Sequence, residues 1–237
     1  MSVAVQSESA RTGGHPLDNP VWSALTGPHA RFAQRVGEVI RYDPGVSVFL
    51  GVGPDAEDER WAQVAELVGP GGIFSITEPT LTPPPGFTVL REFPGVQLVD
   101  EGMRAEPDPE AVVLGPADVP EMLDLVERTE PGPFRPRTIE MGTYLGIRRG
   151  GALVAMAGER MRPPGWTEIS AVCTDPGQRG QGLATRLMRA VAAGIRERGE
   201  TPFLHAAATN TNAIRLYEAL GFRLRRRLSF RPVKAPE

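Results

Sequence analysis

The segment "TDPGQRGQGLATRL", residues 174–187, places two glycines immediately before an amphipathic helical pattern. Gly180 and Gly182 have no Cβ atom, so the backbone there can take left-handed conformations and can approach a ligand closely. A helix N-terminus also offers N–H groups without intrahelical partners and about half a positive charge. Arg179 adds a charge that can pair with phosphate. The segment therefore predicts either a tight turn or an anion-binding loop.

Strands and helices alternate around this segment. The apolar run "TEISAVCT" (167–174) predicts a central strand, and the helix after the glycines carries an apolar residue at every fourth position. The glycine pair at 150–151 predicts a hairpin, and a helix is expected over 116–129. Together these patterns predict an α/β (α+β) fold with a mixed sheet.

The chain divides into three parts by composition. Residues 1–18 are small and polar and are expected to be disordered. Residues 19–105 are predicted to form an N-terminal α/β unit, in which two apolar strands flank an acidic-started helix. Residues 106–237 are predicted to form the second unit, which contains the glycine segment.

Charge and cysteine content exclude some classes of partner. The net charge is −3 and the isoelectric point is about 5.8, so neither nucleic acid nor an anionic membrane is expected as a partner. Cys173 is the single cysteine, which suits a reducing compartment. The N-terminus lacks the pattern of a signal peptide, and no apolar run has the length of a membrane span. The predicted location is the cytoplasm.

Two motifs resemble those of the GNAT superfamily of acyl-CoA-dependent N-acyltransferases. The first is R-x-x-G-x-G/A opening a helix after a strand and a proline, which Pro176, Arg179, Gly182 and Ala184 match. The resemblance covers about residues 111–230. It implies a mixed, mostly antiparallel central sheet flanked by helices, here with an additional N-terminal α/β unit.

The second motif, N-x-x-x-x-Y-x-x-x-G-F, lies about thirty residues downstream. Asn212, Tyr217, Gly221 and Phe222 match it. The family's strand before the loop splays away from its neighbour, which implies that acetyl-CoA binds there as co-substrate and that no metal is needed. The implied acyl-CoA-binding residues are Val172, Cys173, Thr174, Arg179, Gly180, Gln181, Gly182, Leu183, Ala184, Thr185, Asn212 and Tyr217.

The resemblance also implies acid and base roles. Tyr217 occupies the family's position for the proton donor to the departing thiolate, and the alternative is a tyrosine of the core. Glu168 is either the base that takes the amine's proton or an exposed acid at the start of a strand. His205 is a second candidate base or a packed histidine, and Cys173 is interpreted as a packing residue rather than a nucleophile.

The predicted function is transfer of an acetyl group from acetyl-CoA to a primary amine of a small molecule or amino acid by direct attack. The alternatives are a CoA-binding sensor or interaction module without turnover, and an acyltransferase that uses a longer acyl-CoA. The N-terminal unit is interpreted as a degenerate GNAT-like half or as a cap on the acceptor pocket. Because it lacks the R-x-x-G-x-G/A motif, one acyl-CoA per chain is expected; the oligomeric state, including a homodimer, stays open.

One further segment, "RLRRRL" (223–228), is rich in arginine. Alternation along a strand would put Leu224 and Leu228 on one face and the first, third and fifth residues on the other. The sequence therefore predicts a solvated face of arginines rather than a nucleic-acid site.

Overall fold

The computed structural model describes residues 14–55, 59–78 and 80–237. The N-terminal part contains a small antiparallel sheet and two helices. Its elements are α1 (Pro20–Leu25), β1 (Ala33–Val36), β2 (Val39–Tyr42), β3 (Leu50–Val52) and α2 (Arg60–Val68). The strands lie in the order β1-β2-β3. Gly37, with φ of +51°, makes the two-residue turn between β1 and β2 possible.

A nine-stranded mixed sheet forms the main body. Its strands are β4 (Ile73–Ile76), β5 (Thr88–Val89), β6 (Phe93–Asp100), β7 (Val112–Val113), β8 (Tyr144–Arg149), β9 (Ala152–Glu159), β10 (Trp166–Thr174), β11 (Thr201–Ala207) and β12 (Phe222–Lys234). The order is β4-β12-β6-β11-β10-β9-β8-β7, and β5 also pairs with β12. Strands β10 and β11 run parallel, and the sheet is otherwise antiparallel over its described pairs.

Helices cover both faces of this sheet. The helices are α3 (Val119–Thr129), α4 (Leu183–Glu197) and α5 (Thr211–Ala219). The apolar stripe of α4 packs on the face that carries Ile169 and Leu204. Met122 of α3 belongs to a cluster on the opposite face, where the N-terminal part also packs around Phe203. Since successive strand residues face opposite sides, β10 directs Glu168 toward α3 and the N-terminal part.

Strand β6 lies inside the large sheet, between β11 and β12. Val99 pairs with Phe203 on one side and with Arg223 on the other. The predicted fold class is confirmed: a mixed, mostly antiparallel sheet is flanked by helices, and an extra N-terminal sheet is present. The division at residue 105 stays a prediction, although β6 precedes it and still belongs to the large sheet.

Order begins earlier than the sequence suggested. Residues 16–18 form a 3-10 turn, and Leu17 is fully buried beside Val21 and Phe32. The predicted disorder of residues 1–18 is therefore wrong at 16–18, because apolar residues distant along the chain enclose this single leucine. Residues 1–13 lie outside the described part of the chain.

A register shift in β12 changes the direction of its arginines. The shift falls between Leu224 and Arg226, and it leaves Leu224 47% exposed while Leu228 is buried. Arg225 turns inward and donates to Oε1 of Gln97 at 2.9 Å. The predicted solvated face is therefore wrong for Arg225, because a shift of one residue reverses which side of the sheet a side chain meets.

Candidate active site

A cleft opens between the two parallel strands at the centre of the sheet. Strands β10 and β11 pair only from Trp166–Thr201 to Glu168–Phe203. Beyond that point β10 continues to pair with β9 as far as Thr174, and β11 continues to pair with β6. The two strands therefore separate toward their carboxyl ends, which leaves main-chain groups of both available to a ligand.

A bulge in β10 lies beside this cleft. Ser170 pairs with Gly158 and Cys173 with Met156, so two residues of β10 oppose one residue of β9. Ala171, within the bulge, has φ of +52°. A non-glycine residue in this region costs on the order of 1–3 kcal/mol, and such strain concentrates at functional sites. The bulge re-aims the backbone of Ala171 and Val172 at the edge of the cleft.

The glycine loop connects β10 to α4. Gly180 and Gly182 have φ of +79° and +72°, and a Cβ added at either would meet no atom within 4 Å. Within the described chain, the backbone N–H groups of residues 180–185 donate no hydrogen bond. Because α4 is 15 residues long, its dipole adds to these free donors. The loop has the free donors and open space that an anionic group requires.

Other loop residues differ in what they can contribute. Arg179 is exposed, and its Nε lies 3.4 Å from the carbonyl oxygen of Thr174. Gln181 donates to Gln178 at 2.9 Å. The Leu183 side chain is buried under the sheet, so this residue can offer a ligand only its backbone N–H. Ala184 and Thr185, which follow it in the first helical turn, are half-buried.

The second motif forms α5 and the start of β12. Asn210 caps α5 by accepting from Ala213 N–H at 3.1 Å, and Asn212 is exposed in the first turn. Tyr217 is half-buried and packs edge-on against Phe222 at 6.3 Å between ring centroids. Its hydroxyl has no hydrogen-bond partner among the described residues. Burial raises the pKa of Tyr217 to about 12, so the phenol keeps its proton at neutral pH.

Glu168 does not reach solvent. Its side chain is 0% exposed and forms a two-point ion pair with Arg160, at 2.9 Å and 2.7 Å. Burial alone would raise its pKa, but the Arg160 guanidinium and the bonds from Arg160 and His205 hold the pKa of Glu168 far below its usual range. The alternative of an exposed acid is therefore wrong. The role of base stays a prediction, and this ion pair counts against it.

The two other candidates are also enclosed. Both ring nitrogens of His205 are already bonded, Nδ1 to Glu168 at 2.8 Å and Nε2 to Gln97 at 3.1 Å. Cys173 is buried with Ala171 and Met156 in the cluster under α3. Burial raises the pKa of the Cys173 thiol to about 11, which agrees with a packing role. Val172, next to it, packs instead against the α4 side, and Thr174 is half-buried at the strand end.

Sequence reasoning did not find Ala171, Arg160 or Gln97. Nothing local marks Ala171, because the bulge depends on the register with β9. Arg160 and Gln97 stand out as charged or polar residues within apolar strand patterns, which is a usable signal. Such residues in a central sheet are buried and need partners.

Several other features lie away from the cleft. Two surface cavities of about 230 Å³ and 480 Å³ share Thr143, Glu159 and Arg198 and include no residue of the glycine loop.

Within the described ranges there is no group of three or more histidine, cysteine or acidic residues that could hold a metal ion. In the same ranges, no helix has the length and apolar character needed to cross a membrane.

Comparison with known proteins agrees with this geometry. A family model described as FR47-like protein matches residues 144–230. A crystal structure from Novosphingobium aromaticivorans, described as an acetyltransferase of the GNAT family, is 44% identical; the match covers 94% of this chain and 100% of that one, with a TM-score of 0.87. A GCN5-related N-acetyltransferase from Kribbella flavida shares the fold at 19% identity, with 92% and 95% of the two chains covered and a TM-score of 0.59.

A curated relative matches a shorter region. It is the N-alpha-acetyltransferase RimI of Mycobacterium tuberculosis, 37% identical over 90 residues, which are 35% of this chain and 56% of the relative. The match thus spans little more than half of the relative's length. The full-length similarity to the Novosphingobium protein decides the family. With its splayed strands, bulge and glycine loop, the chain belongs to the GNAT superfamily of acyl-CoA-dependent N-acyltransferases.

Proposed function

We propose that this protein transfers an acetyl group from acetyl-CoA to a primary amine by direct attack. The observation that supports the proposal is the combination of the separation of β10 from β11 with the glycine loop that follows β10. Strand β10 leaves β11 after Glu168, and six residues later it enters a loop whose N–H groups at 180–185 are free. The first feature suits an extended pantetheine arm, and the second suits a pyrophosphate.

The binding roles follow from these positions. The backbone of Val172, Cys173 and Thr174 would bind the pantetheine arm, and Arg179 with the free N–H groups would hold phosphate. Asn212 and Tyr217, on α5, would border the thioester end. The bound thioester supplies the acyl group. A backbone N–H at the bulge between Ser170 and Cys173, near Ala171 and Val172, would stabilise negative charge on the acyl oxygen.

Two proton movements accompany the transfer. The amine loses a proton as its nitrogen bonds to the acyl carbon, and the departing thiolate gains one as its bond to that carbon breaks. We assign the donor role to Tyr217, because its hydroxyl is protonated and without a partner among described residues. Glu168 remains a candidate base only through water, because its own oxygens are occupied by Arg160 and His205.

The acceptor defines two versions of the proposal. Our first candidate is the amine of a small molecule or amino acid. The Mycobacterium tuberculosis relative is named as an N-alpha-acetyltransferase, which favours a protein N-terminus as the second candidate. A longer acyl group is a further variant, since the loop 131–138 and the hairpin β8–β9 would border the acyl pocket. We place the reaction in the cytoplasm with one acyl-CoA per chain.

A turnover assay tests the proposal. Release of CoA from acetyl-CoA is measured with a panel of small amines, amino acids and short peptides, and acetyl-CoA binding is measured by calorimetry. Turnover on free amines supports the first candidate, and turnover on peptide N-termini alone supports the second. Binding of about one acetyl-CoA per chain with background CoA release on every acceptor would instead identify a CoA-binding module without turnover.

A further inference from the structure

A side-chain hydrogen bond links the two strands at the apex of the cleft. Main-chain pairing of β10 with β11 ends at Glu168 and Phe203. Just beyond, Nδ1 of His205 on β11 donates to Oε1 of Glu168 on β10 at 2.8 Å. The His205 side chain is 1% exposed and that of Glu168 is 0% exposed. This hydrogen bond therefore joins the two strands where their backbones begin to separate.

The partners of His205 allow one arrangement of its protons. The carboxylate of Glu168 can only accept, so Nδ1 carries the hydrogen. Gln97 Oε1 accepts from the guanidinium of Arg225 at 2.9 Å, which directs the Gln97 amide nitrogen toward Nε2 of His205 at 3.1 Å. Nε2 is therefore an acceptor, and both ring nitrogens of His205 have hydrogen-bond partners. A histidine held this way has no free nitrogen for an incoming amine.

The same chain of bonds begins in the N-terminal part. Gln97 also donates to the carbonyl oxygen of Leu17 at 3.0 Å. Arg225 donates to that carbonyl at 3.3 Å and to Asp18 at 2.6 Å. Leu17 itself is fully buried in the N-terminal core. Gln97 thus connects Leu17 to His205 through hydrogen bonds.

The other end of this hydrogen-bond network, at Glu168, is also held in place. Arg160 holds Glu168 through two hydrogen bonds at 2.9 Å and 2.7 Å, which leaves the carboxylate little freedom to rotate. The Arg160 guanidinium lies over the ring of Phe49, 5.1 Å from its centroid, and Phe49 belongs to the N-terminal core. The N-terminal part therefore contacts both ends of the network.

We propose that His205 is a positioning residue that sets the separation of β10 and β11, and that the N-terminal part controls it through Gln97. This inference rests on the proposed function, in which acyl-CoA binds in the cleft. It gives the N-terminal part a role in donor binding without a second acyl-CoA site. Loss of the link would let β11 move relative to β10, so donor affinity falls even though no side chain that contacts donor has changed.

Two substitutions at one position test the link. His205→Phe keeps a packed ring but removes both hydrogen bonds, while Glu168 keeps Arg160. In His205→Asn the amide nitrogen takes the place of Nδ1 and can still donate to Glu168, but no atom takes the place of Nε2. We expect the Kd for CoA, measured by calorimetry, to rise about fivefold or more in His205→Phe, at the low end of ordinary coupling energies. His205→Asn keeps the bond to Glu168 but loses the one from Gln97, so its Kd for CoA should lie between those of wild type and His205→Phe.

A matched control separates this role from general stability. Tyr42→Phe removes one buried hydrogen bond, from Tyr42 to His29 at 3.1 Å, and leaves every hydrogen bond of Glu168, His205 and Gln97 in place. It should lower thermal stability while leaving the Kd for CoA unchanged. Equal CoA affinities in wild type and His205→Phe would overturn the proposal. A loss of kcat in His205→Asn with unchanged CoA binding would also overturn it, because that pattern marks a base.

A second variant and a second readout keep the test independent of the proposed function. Gln97→Met retains a similar shape but breaks the connection to Leu17, and it should weaken CoA binding in the same direction. Hydrogen exchange of peptides from 166–174 and 201–207 requires no ligand. Exchange there should rise in His205→Phe and Gln97→Met but not in Tyr42→Phe. If wild type binds no CoA, the proposed function fails, and the exchange pattern alone then supports or overturns the role of His205.

Discussion

Replacing Gly182 with valine changes the loop before α4 in two ways that can be measured separately. The backbone of Gly182 has φ of +72°, where an L-residue costs about 1–2 kcal/mol. A Cβ there meets no protein atom within 4 Å, so packing adds no clash. The strain is present with and without ligand. It therefore lowers the free energy of unfolding but has little effect on the Kd for CoA.

The second change is local obstruction. The free N–H groups of residues 180–185 surround this position, and a branched side chain beside them would keep a phosphate from at least one donor. Losing one hydrogen bond to a charged group costs roughly 1.4 kcal/mol or more, which corresponds to about a tenfold increase in the Kd for CoA. The expected result is a combined loss of stability and of affinity.

Gly199, just beyond the other end of α4, offers a matched control. Its φ is +75°, and a Cβ added there also meets no atom within 4 Å. Gly199→Val should therefore carry the same strain, and both variants should lose about 2–4 °C of Tm per kcal/mol. Calorimetry with CoA should show weakened binding for Gly182→Val alone. Equal affinities in the two folded variants would refute the anion-site reasoning and leave the loop as a turn.

Three further predictions concern single side chains. Tyr217→Phe should lower kcat about 100-fold with the Kd for CoA nearly unchanged, and a kcat equal to that of wild type would exclude Tyr217 as the proton donor. Because the pKa of Tyr217 is about 12, loss of its proton should not reduce the activity of the wild-type enzyme below about pH 10. The Cys173 thiol, with a pKa of about 11, should react with iodoacetamide at pH 8 far more slowly than free cysteine, and rapid alkylation of the folded protein would contradict the burial of this thiol. The Cys173→Ala variant should turn over at the wild-type rate. Burial lowers the pKa of His29 to about 4, so on acidification the unfolded chain binds this proton before the folded protein does, and the free energy of unfolding decreases as the pH falls below 6.5. Between pH 7 and pH 4, urea unfolding should show a decrease about 3 kcal/mol larger in wild type than in His29→Gln. Parallel plots of unfolding free energy against pH for the two proteins would contradict this prediction.

Local sequence patterns predicted much of the fold and part of the site. The glycine loop, α4 and the hairpin at 150–151 all lie close to where the sequence predicts them. These features depend on short-range physics: glycine conformations, helix periodicity and turn geometry act within a few residues. The same holds for Asn212 and Tyr217, which the second motif places on one short helix.

Glu168 shows where local patterns stop being sufficient. The sequence predicts its strand, but its partner Arg160 follows the end of β9 and its partner His205 lies on β11. Gln97, which binds His205, comes from a strand more than sixty residues earlier. Strand order and register determine these contacts, and both are set by long-range pairing rather than by any local preference.

The sequence by itself therefore determined the elements, the glycine loop and the family resemblance. Tertiary structure alone decided that β6 lies inside the large sheet, that a bulge re-aims β10 at Ala171, and that a shift in β12 turns Arg225 inward. The physical reason is common to all three. Periodicity predicts that a strand has two faces, whereas the neighbour that covers each face depends on contacts between residues far apart in the chain.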